Sequence, residues 1–241
     1  MLLVVSLLVL DLGSDRRAAV VHTVVAVGDS VPSGQGCKCP FLDTYAARSA
    51  ARVGAVASTV NLAVDGYTSA EVRSQVVGSA ASAALQRADT VVIMVGANDF
   101  LQPLVDDLDG RCSRADCYTL SERMLTTNVV ETIQQIHAIH PAPVSVIVVG
   151  YWNVAQDGSV GRALYGVDGM AEADRATAYA NTALQKAAAD TGARYVATFA
   201  AFRGPDGGRD PTPLLAADGD HPNAAGHDLI AQALFDTVPD G

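Results

Sequence analysis

Five short apolar runs organise this chain. They cover residues 22–27, 58–64, 90–95, 144–149 and 195–198, and most of their residues are β-branched or aliphatic. The first four end immediately before a glycine or an Asp-Gly pair. Continuous apolar runs of this length are typical of strands that are buried on both faces of a sheet. The pattern therefore predicts five buried strands.

Helical periodicity fills the segments between these runs. It is clearest in Leu125, Val129, Ile133 and Ile136, which recur at spacings of four, four and three. They predict an amphipathic helix over about residues 119–140 that begins with a capping-box sequence. Caps and composition predict four more helices: at 41–52, from a cap at Ser69 with Glu71 in the first turn, at about 170–190, and from Pro222 to about residue 235.

Strand and helix alternate along the chain. Strands buried on both faces require a parallel sheet covered by helices, and right-handed crossovers place those helices on both sides. We therefore predict an α/β fold, a doubly wound three-layer sandwich with about five parallel strands. The 241 residues are 49% hydrophobic, enough to bury one full core, and no repeat or low-complexity linker divides them.

The first ten residues are almost wholly apolar. This run is too short to span a bilayer, but it suits the hydrophobic region of a secretory signal. No positive residue precedes it and no clear cleavage site follows, so a first buried strand and a misplaced start codon remain alternatives. We assign residues 1–20 to a candidate signal or disordered segment and residues 21–241 to a single domain. A secreted or cell-envelope location is expected, with the cytoplasm left open.

The net charge of −10 and the pI near 4.7 bear on the partners of the chain. No basic stripe is present to neutralise phosphates, which argues against a nucleic-acid partner. Acidity of this kind disfavours polyanionic substrates and is compatible with neutral esters or sugars. Nothing in the sequence predicts a stable membrane span or fixes the oligomeric state.

Four cysteines lie in two polar loops, at Cys37, Cys39, Cys112 and Cys117. In an exported chain they would form disulfides, with Cys112 and Cys117 closing a short loop and Cys37 or Cys39 less easily paired locally. In a cytosolic chain the four thiols could bind zinc, although their spacing differs from the common Cys-x2-Cys knuckle. We favour at least one disulfide.

A nucleophile and a base can be assigned from opposite ends of the chain. Ser30 follows the first predicted strand, and the carboxyl ends of strands are where open α/β sheets bind ligands. A serine hydroxyl needs a base, which His221 could supply, and Asp218 could fix the tautomer of that imidazole. Singly, each residue has an ordinary explanation as a cap, a surface histidine or a turn former. Together they predict a catalytic triad.

Acyl transfer also needs donors aimed at the developing oxyanion. Gly66 offers an unobstructed backbone N–H, Asn98 offers a side-chain amide, and Ser30 can add its own N–H. Both Gly66 and Asn98 follow predicted strands, although either could equally serve an ordinary turn.

Other chemistries fit the sequence less well. The Gly-x-Ser-x-Gly elbow of common esterases is absent around Ser30, and the segment 34–36 lacks the lysine or third glycine of a nucleotide-binding loop. Asp29 could be a metal ligand, but only Asp99 provides another acid at a strand end. We expect Asn61 and Asp99 to brace their loops.

Four sequence blocks together resemble those of the SGNH hydrolases, also called GDSL-type esterases and lipases. The blocks are Gly28-Asp29-Ser30, Asn61-x4-Gly66-x-Thr68-Ser69, Gly96-x-Asn98-Asp99 and Asp218-x2-His221-Pro222-Asn223. The resemblance covers most of the chain, and the loop at 31–36 is similar to that of the secreted actinobacterial branch. One departure is Val31, which replaces the leucine after the serine.

This resemblance implies a flavodoxin-like sandwich and a hydrolase that uses neither metal nor cofactor. It implies Ser30 as nucleophile, His221 as base, Asp218 as orienting acid, and Ser30, Gly66 and Asn98 as the oxyanion hole. We predict a serine esterase or lipase acting on small-molecule, lipid or glycan esters.

Several alternatives to this prediction share the same fold. They are a carbohydrate O-acetyl esterase, an acyltransferase and a non-catalytic glycan-binding relative. The walls of the pocket are expected to come from loops at 31–42, 100–119 and 151–168. Tyr151 and Trp152 could line an acyl or sugar pocket or belong to the core. His227 is expected to be a packing or surface residue.

Overall fold

The computed structural model describes residues 19–112 and 117–237. Nearly all of the segment assigned as a candidate signal, residues 1–20, lies outside the described residues. The strands are β1 (Val21–Gly28), β2 (Val56–Asn61), β3 (Thr90–Met94), β4 (Ser145–Val149) and β5 (Arg194–Val196). They form one parallel sheet in the order β2-β1-β3-β4-β5. This is the flavodoxin-like order, and it confirms the predicted α/β fold.

Helices cover both faces of the sheet. They are α1 (Ser30–Ser33), α2 (Phe41–Arg52), α3 (Ser69–Val76), α4 (Ser79–Leu85), α5 (Ala97–Leu108), α6 (Thr119–Ile139), α7 (Gly158–Thr191), α8 (Phe199–Arg203) and α9 (Ala224–Thr237), with a 3-10 turn at Thr212–Leu214. On one face α2 packs against α9, and on the other α6 packs against α3 and α7.

The central strands of the sheet are buried, and the edge strand β2 is not. Every residue of β3 is buried, as are the last five of β1, whereas β2 is exposed or partly exposed along its length. The regular part of β2 ends at Asn61, three residues before the predicted end. Even so, the amides of Leu62 and Val64 still donate to the carbonyls of Ala26 (2.8 Å) and Gly28 (3.0 Å).

Gly28 makes the sharp exit from β1 possible. Its φ is +152°, and a Cβ built at this position would lie 1.9 Å from the carbonyl oxygen of Met94 on the neighbouring strand. Only glycine avoids that overlap. The amide of Asp29 then donates to the same carbonyl at 3.1 Å. The chain therefore leaves β1 and enters α1 without a gap, which fixes the position of Ser30.

Helix starts differ from the predictions in three places. The N-cap of α3 is Thr68 and not Ser69, and Thr68 forms a capping box with Glu71. No side chain caps α6, which begins at Thr119. The last helix begins after Asn223 and not at Pro222, because the side chain of Asn223 accepts from the first free amides of α9.

The expected loops at 100–119 and 151–168 contain helices instead. The first of these helices, α5, buries only Phe100 and Leu104 and has Pro103 in its interior, so the sequence does not predict it. Helix α7 begins at Gly158 and is bent at Gly166, where φ is +65°. Because the bend interrupts the helix, the sequence does not predict the segment before it. Helix α8 was also missed because it has only five residues.

The four cysteines form two local pairs. The Cα atoms of Cys37 and Cys39 are 5.2 Å apart, and those of Cys112 and Cys117 are 5.7 Å apart. Both distances suit disulfides, so the expectation that Cys37 or Cys39 pairs less easily is wrong. A four-thiol zinc site does not form among residues 19–112 and 117–237, where the two pairs do not share a cluster.

Across the same ranges, no helix combines the length and hydrophobicity that a bilayer crossing requires.

Candidate active site

Ser30 is the first residue of α1 and is only partly buried. The carboxylate of Asp29 caps α1 by accepting from the amide of Val31 at 3.2 Å. The carbonyl of Ser30 is also occupied, because it accepts from the hydroxyl of Ser33 (2.8 Å) and the amide of Gln35 (3.1 Å). Ser30 is thus held by its backbone, and none of these hydrogen bonds uses its hydroxyl.

His221 and Asp218 belong to the loop before α9. One oxygen of Asp218 accepts from the amides of Asp220 and His221 at 3.0 Å each, and the other lies 2.8 Å from Nδ1 of His221. Burial raises the pKa of Asp218, but the hydrogen bonds from His221 and Asp220 outweigh it and lower that pKa overall. The His221 side chain, only 9% exposed, is thereby held by an ionised carboxylate.

One crevice at the carboxyl ends of the strands brings the predicted residues together. Ser30, Asn98 and His221 all line it. Tyr151 and Trp152 also line it. Both are almost fully buried, so they belong to the core as well. The hydroxyl side chain from the start of the chain and the imidazole from its tail therefore share one cleft.

Gly66 is not among the residues that line this crevice. It is exposed in the turn after β2, with φ of +80°, and no atom lies within 4 Å of a Cβ built on it. Its neighbour Asp65 accepts from the hydroxyl of Ser33, which places the turn beside α1. The amide of Asn98 donates to the carbonyl of Tyr67 at 2.9 Å. Asn98 is therefore anchored to the Gly66 turn.

Comparison with known families agrees with this arrangement. The model of the GDSL-like Lipase/Acylhydrolase family matches residues 26–229. The chain belongs to this family. It is a carboxylic ester hydrolase, and the predicted SGNH resemblance is confirmed. Curated protein sequences give no match.

Solved structures of esterases and lipases share the fold of this GDSL-like hydrolase. The lipase Lip_vut3 from a goat rumen metagenome superposes with a TM-score of 0.73 at 17% identity, covering 90% of this chain and 97% of that one. An extracellular lipase from Streptomyces rimosus gives 0.62 at 21% identity, with coverages of 90% and 100%. Axe2, an acetylxylan esterase from Geobacillus stearothermophilus, gives 0.62 at 16% identity, with coverages of 90% and 93%.

Next to Ser30 lies a buried pair that the sequence did not reveal. The hydroxyl of Tyr151 donates to the second carboxylate oxygen of Asp29, which is fully buried. Burial raises the pKa of Asp29 to about 7, although the hydrogen bonds from Tyr151 and Val31 oppose the shift. A carboxyl group with such a pKa prefers to be neutral inside the protein. No local motif marks this pair, since its members are 122 residues apart.

The raised pKa of Asp29 predicts a pH-dependent stability. Between the ordinary pKa of 3.8 and about 7, the unfolded chain releases this proton and the folded chain keeps it. Stability contributed by Asp29 therefore falls as the pH rises through this window, by roughly 4 kcal/mol in total. Asp29→Asn cannot ionise, so the free energy of unfolding of the variant relative to wild type should rise by a few kcal/mol between pH 5 and pH 8.

Urea unfolding of both proteins at the two pH values measures this difference. Loss of one hydrogen bond in Asp29→Asn would lower its stability equally at both pH values, so only the change with pH is diagnostic. A difference that stays constant from pH 5 to pH 8 would contradict the neutral buried carboxyl.

Asn61 and Asp99 brace the loops of the hydrolase, as expected. The amide of Asn61 donates to the carbonyl of Pro32 at 2.7 Å. Asp99 accepts from both the backbone amide and the hydroxyl of Ser69, and the side chain of Asn128 donates to that hydroxyl at 2.9 Å. These contacts tie the strand-end loops to α1 and α3, so they hold the rim of the crevice in place.

A buried ion pair lies close to the loop that carries His221. Nε of Arg203 lies 2.8 Å from the carboxylate of Asp157, and another nitrogen of the guanidinium lies 2.7 Å from Asp174. The amide of Asp157 donates to the carbonyl of Gly219 at 2.7 Å. Because Gly219 follows Asp218 directly, the position of the Asp157 backbone controls the position of the loop that carries His221.

Two remaining features lie outside the crevice. His227 is buried against Phe41, with ring centroids 6.1 Å apart, and burial lowers its pKa to about 4. It is a packing residue, as expected. A larger cavity of about 810 Å³ lies at the amino ends of β4 and β5, lined by His137, His140 and Arg194 among others. That cavity is on the edge of the sheet opposite Ser30.

Proposed function

We propose that this hydrolase cleaves carboxylic esters through an acyl-enzyme on Ser30, with His221 as base and Asp218 as the acid that orients it. The supporting observation is the shared crevice: Ser30 and His221 line the same cleft while Asp218 holds Nδ1 of the imidazole at 2.8 Å. That hydrogen bond leaves Nε2 as the nitrogen available to a serine hydroxyl.

The proposed reaction has two halves. In the first, Nε2 of His221 takes the proton of the Ser30 hydroxyl while Oγ attacks the ester carbonyl. The tetrahedral intermediate then collapses, and the imidazolium gives its proton to the departing alcohol. In the second half, Nε2 activates a water molecule that attacks the acyl group, and the Ser30 hydroxyl is restored as the acid leaves. No step requires a metal ion or a cofactor.

The oxyanion of each intermediate needs preorganised donors. We propose the backbone N–H groups of Ser30 and Gly66 and the side-chain amide of Asn98. Support comes from the hydrogen bond of Asn98 to the carbonyl of Tyr67, because it fixes the amide and leaves one N–H unused. The position of Gly66 is supported indirectly, through the contact of Asp65 with Ser33 in α1.

The acyl portion of the natural substrate of this hydrolase is proposed to be apolar. The crevice is narrow, and its apolar wall includes Val31, Val154 and Leu101, of which Leu101 is 43% exposed. An apolar wall that continues to the surface suits an acyl chain. Esterase or lipase activity is therefore favoured over strict deacetylation of a glycan.

Acyl-length profiling combined with covalent labelling tests this function. Purified protein is expected to hydrolyse a series of 4-nitrophenyl esters from acetyl to decanoyl and to retain activity beyond acetyl. An alkyl fluorophosphonate should inactivate it, with the adduct mapped to Ser30 by peptide mass spectrometry. Activity confined to acetyl esters would support the O-acetyl esterase alternative. The absence of both turnover and labelling would support the non-catalytic alternative.

We also propose that the protein is exported. Three observations support this location: the apolar run at the start of the sequence, the two close cysteine pairs and the structural likeness to an extracellular lipase from Streptomyces rimosus. Disulfides persist in oxidising compartments, which makes the two pairs consistent with an extracellular enzyme.

A further inference from the structure

A second carboxylate faces the other nitrogen of the proposed base. The imidazole of His221 has Asp218 at Nδ1, and Oδ2 of Asp220 lies 3.9 Å from Nε2. Nε2 is the atom that exchanges protons with the serine and with the leaving alcohol in the proposed reaction. Asp220 therefore lies on the reacting side of the ring.

The side chain of Asp220 can be reached by a substrate. It lines the same crevice as Ser30 and His221, and it is 39% exposed. Neither Lys nor Arg lines the crevice or forms an ion pair with Asp220 within the described ranges. The buried carboxyl of Asp29 and that of Asp99 lie close by and add no positive charge. A cation brought by a substrate would therefore meet a carboxyl group that has no Lys or Arg partner in the described part of the chain.

The fold does not need this side chain. The backbone amide of Asp220 donates to Asp218 at 3.0 Å, which completes the turn without the Asp220 carboxylate. Gly219 packs against Val160, and the carbonyl of Gly219 accepts from Asp157. Because other groups hold the loop, the carboxylate of Asp220 is free to act on a ligand.

We propose that Asp220 is a specificity-determining residue, which selects esters whose alcohol portion carries a positive charge and rejects esters whose alcohol portion is anionic. This inference rests on the proposed function. It concerns the alcohol portion because Nε2 delivers a proton to the leaving oxygen, so a group beside Nε2 lies beside that part of the substrate. Esters of amino alcohols, including quaternary ammonium alcohols, have the required chemistry.

The expected size of the effect follows from Coulomb's law. A positive charge about 6 Å from the carboxylate, at an effective dielectric constant of about 40, is stabilised enough to raise kcat/KM about tenfold. An anion at the same distance is destabilised, which lowers kcat/KM by a similar factor. The selectivity should weaken with added salt, because Asp220 is partly exposed.

Three thioesters with the same acetyl group test the proposal. Acetylthiocholine is cationic, 3,3-dimethylbutyl thioacetate has the same shape without the charge, and S-acetyl-3-mercaptopropionate is anionic. Wild type should show kcat/KM about tenfold higher for the cation than for its neutral isostere, and lower for the anion. In Asp220→Asn the ratio of cation to isostere should fall to near one. Asp228→Asn, an exposed α9 acid with the same charge change, should keep the wild-type ratio.

Wild type alone provides a second measurement that needs no folded variant. Choline should inhibit turnover of the neutral thioester more strongly than 3,3-dimethylbutanol does, and salt should reduce that difference. If wild type hydrolyses all three thioesters with equal kcat/KM, or if Asp220→Asn keeps the preference, the role of Asp220 is wrong while ester hydrolysis stands. If wild type hydrolyses none of them and Ser30 takes no fluorophosphonate, both proposals are overturned.

Discussion

Ser30→Ala is expected to abolish ester hydrolysis, with kcat reduced by roughly four to six orders of magnitude. Without the hydroxyl no acyl-enzyme can form, and any residual rate would come from the oxyanion donors and substrate binding alone. The variant should fold normally. The hydrogen bonds that hold α1 use the backbone carbonyl of Ser30 and the carboxylate of Asp29, and the Ser30 hydroxyl makes none of them.

Turnover of a chromogenic ester by wild type and variant measures this effect, with thermal unfolding as a check on folding. Ser33→Ala is the matched control. It removes a hydroxyl from the same short helix, one that donates to the carbonyl of Ser30 and to Asp65. It should lower kcat by about tenfold or less, which is the effect expected from the loss of a single positioning contact. Wild-type turnover in Ser30→Ala would show that the nucleophile has been misassigned.

Arg203→Met is expected to destabilise the protein by roughly 3–5 kcal/mol. The substitution keeps most of the side-chain volume but leaves Asp157, only 1% exposed, without its cationic partner. An unpaired buried charge is strongly destabilising. Urea unfolding at pH 7 measures the loss, and the catalytic rate should fall too, because Asp157 supports Gly219.

Arg162→Met serves as the control for this prediction. Arg162 pairs with Asp210 at 2.8 Å on the surface, where both side chains are about half exposed, and exposed pairs contribute at most about 1 kcal/mol. A double variant, Arg203→Met with Asp157→Asn, should recover part of the lost stability, since it removes the stranded charge. Equal losses in Arg203→Met and Arg162→Met would refute the special role of the buried pair.

The sheet and the residues of the crevice could be predicted from the sequence because both depend on local patterns. The run that became β3 is apolar throughout, and a polar residue follows each strand end that reaches the crevice. The long helix α6 was predicted within one residue at its end, since four apolar residues repeat regularly along it. In a parallel sheet, strand ends converge on one edge, so Ser30 and Asn98 could be expected to meet there.

Long-range pairs could not be predicted in this way. Asp29 with Tyr151 and Arg203 with Asp157 join distant parts of the chain, and no spacing or composition marks the partners. Helix α5 was not predicted for a different reason. It contains Pro103 and buries only Phe100 and Leu104. Asp220 was visible as a residue of the Asp218 block, but its closeness to Nε2 of His221 depends on the turn of the folded loop.

The docking of α9 on α2 has a consequence for biosynthesis. The proposed base, His221, directly precedes the helix that packs against α2. A growing polypeptide on the ribosome therefore carries the proposed nucleophile long before it carries the proposed base. Ester hydrolysis by these two groups would begin only after α9 has docked on α2 and brought His221 to the crevice that Ser30 lines.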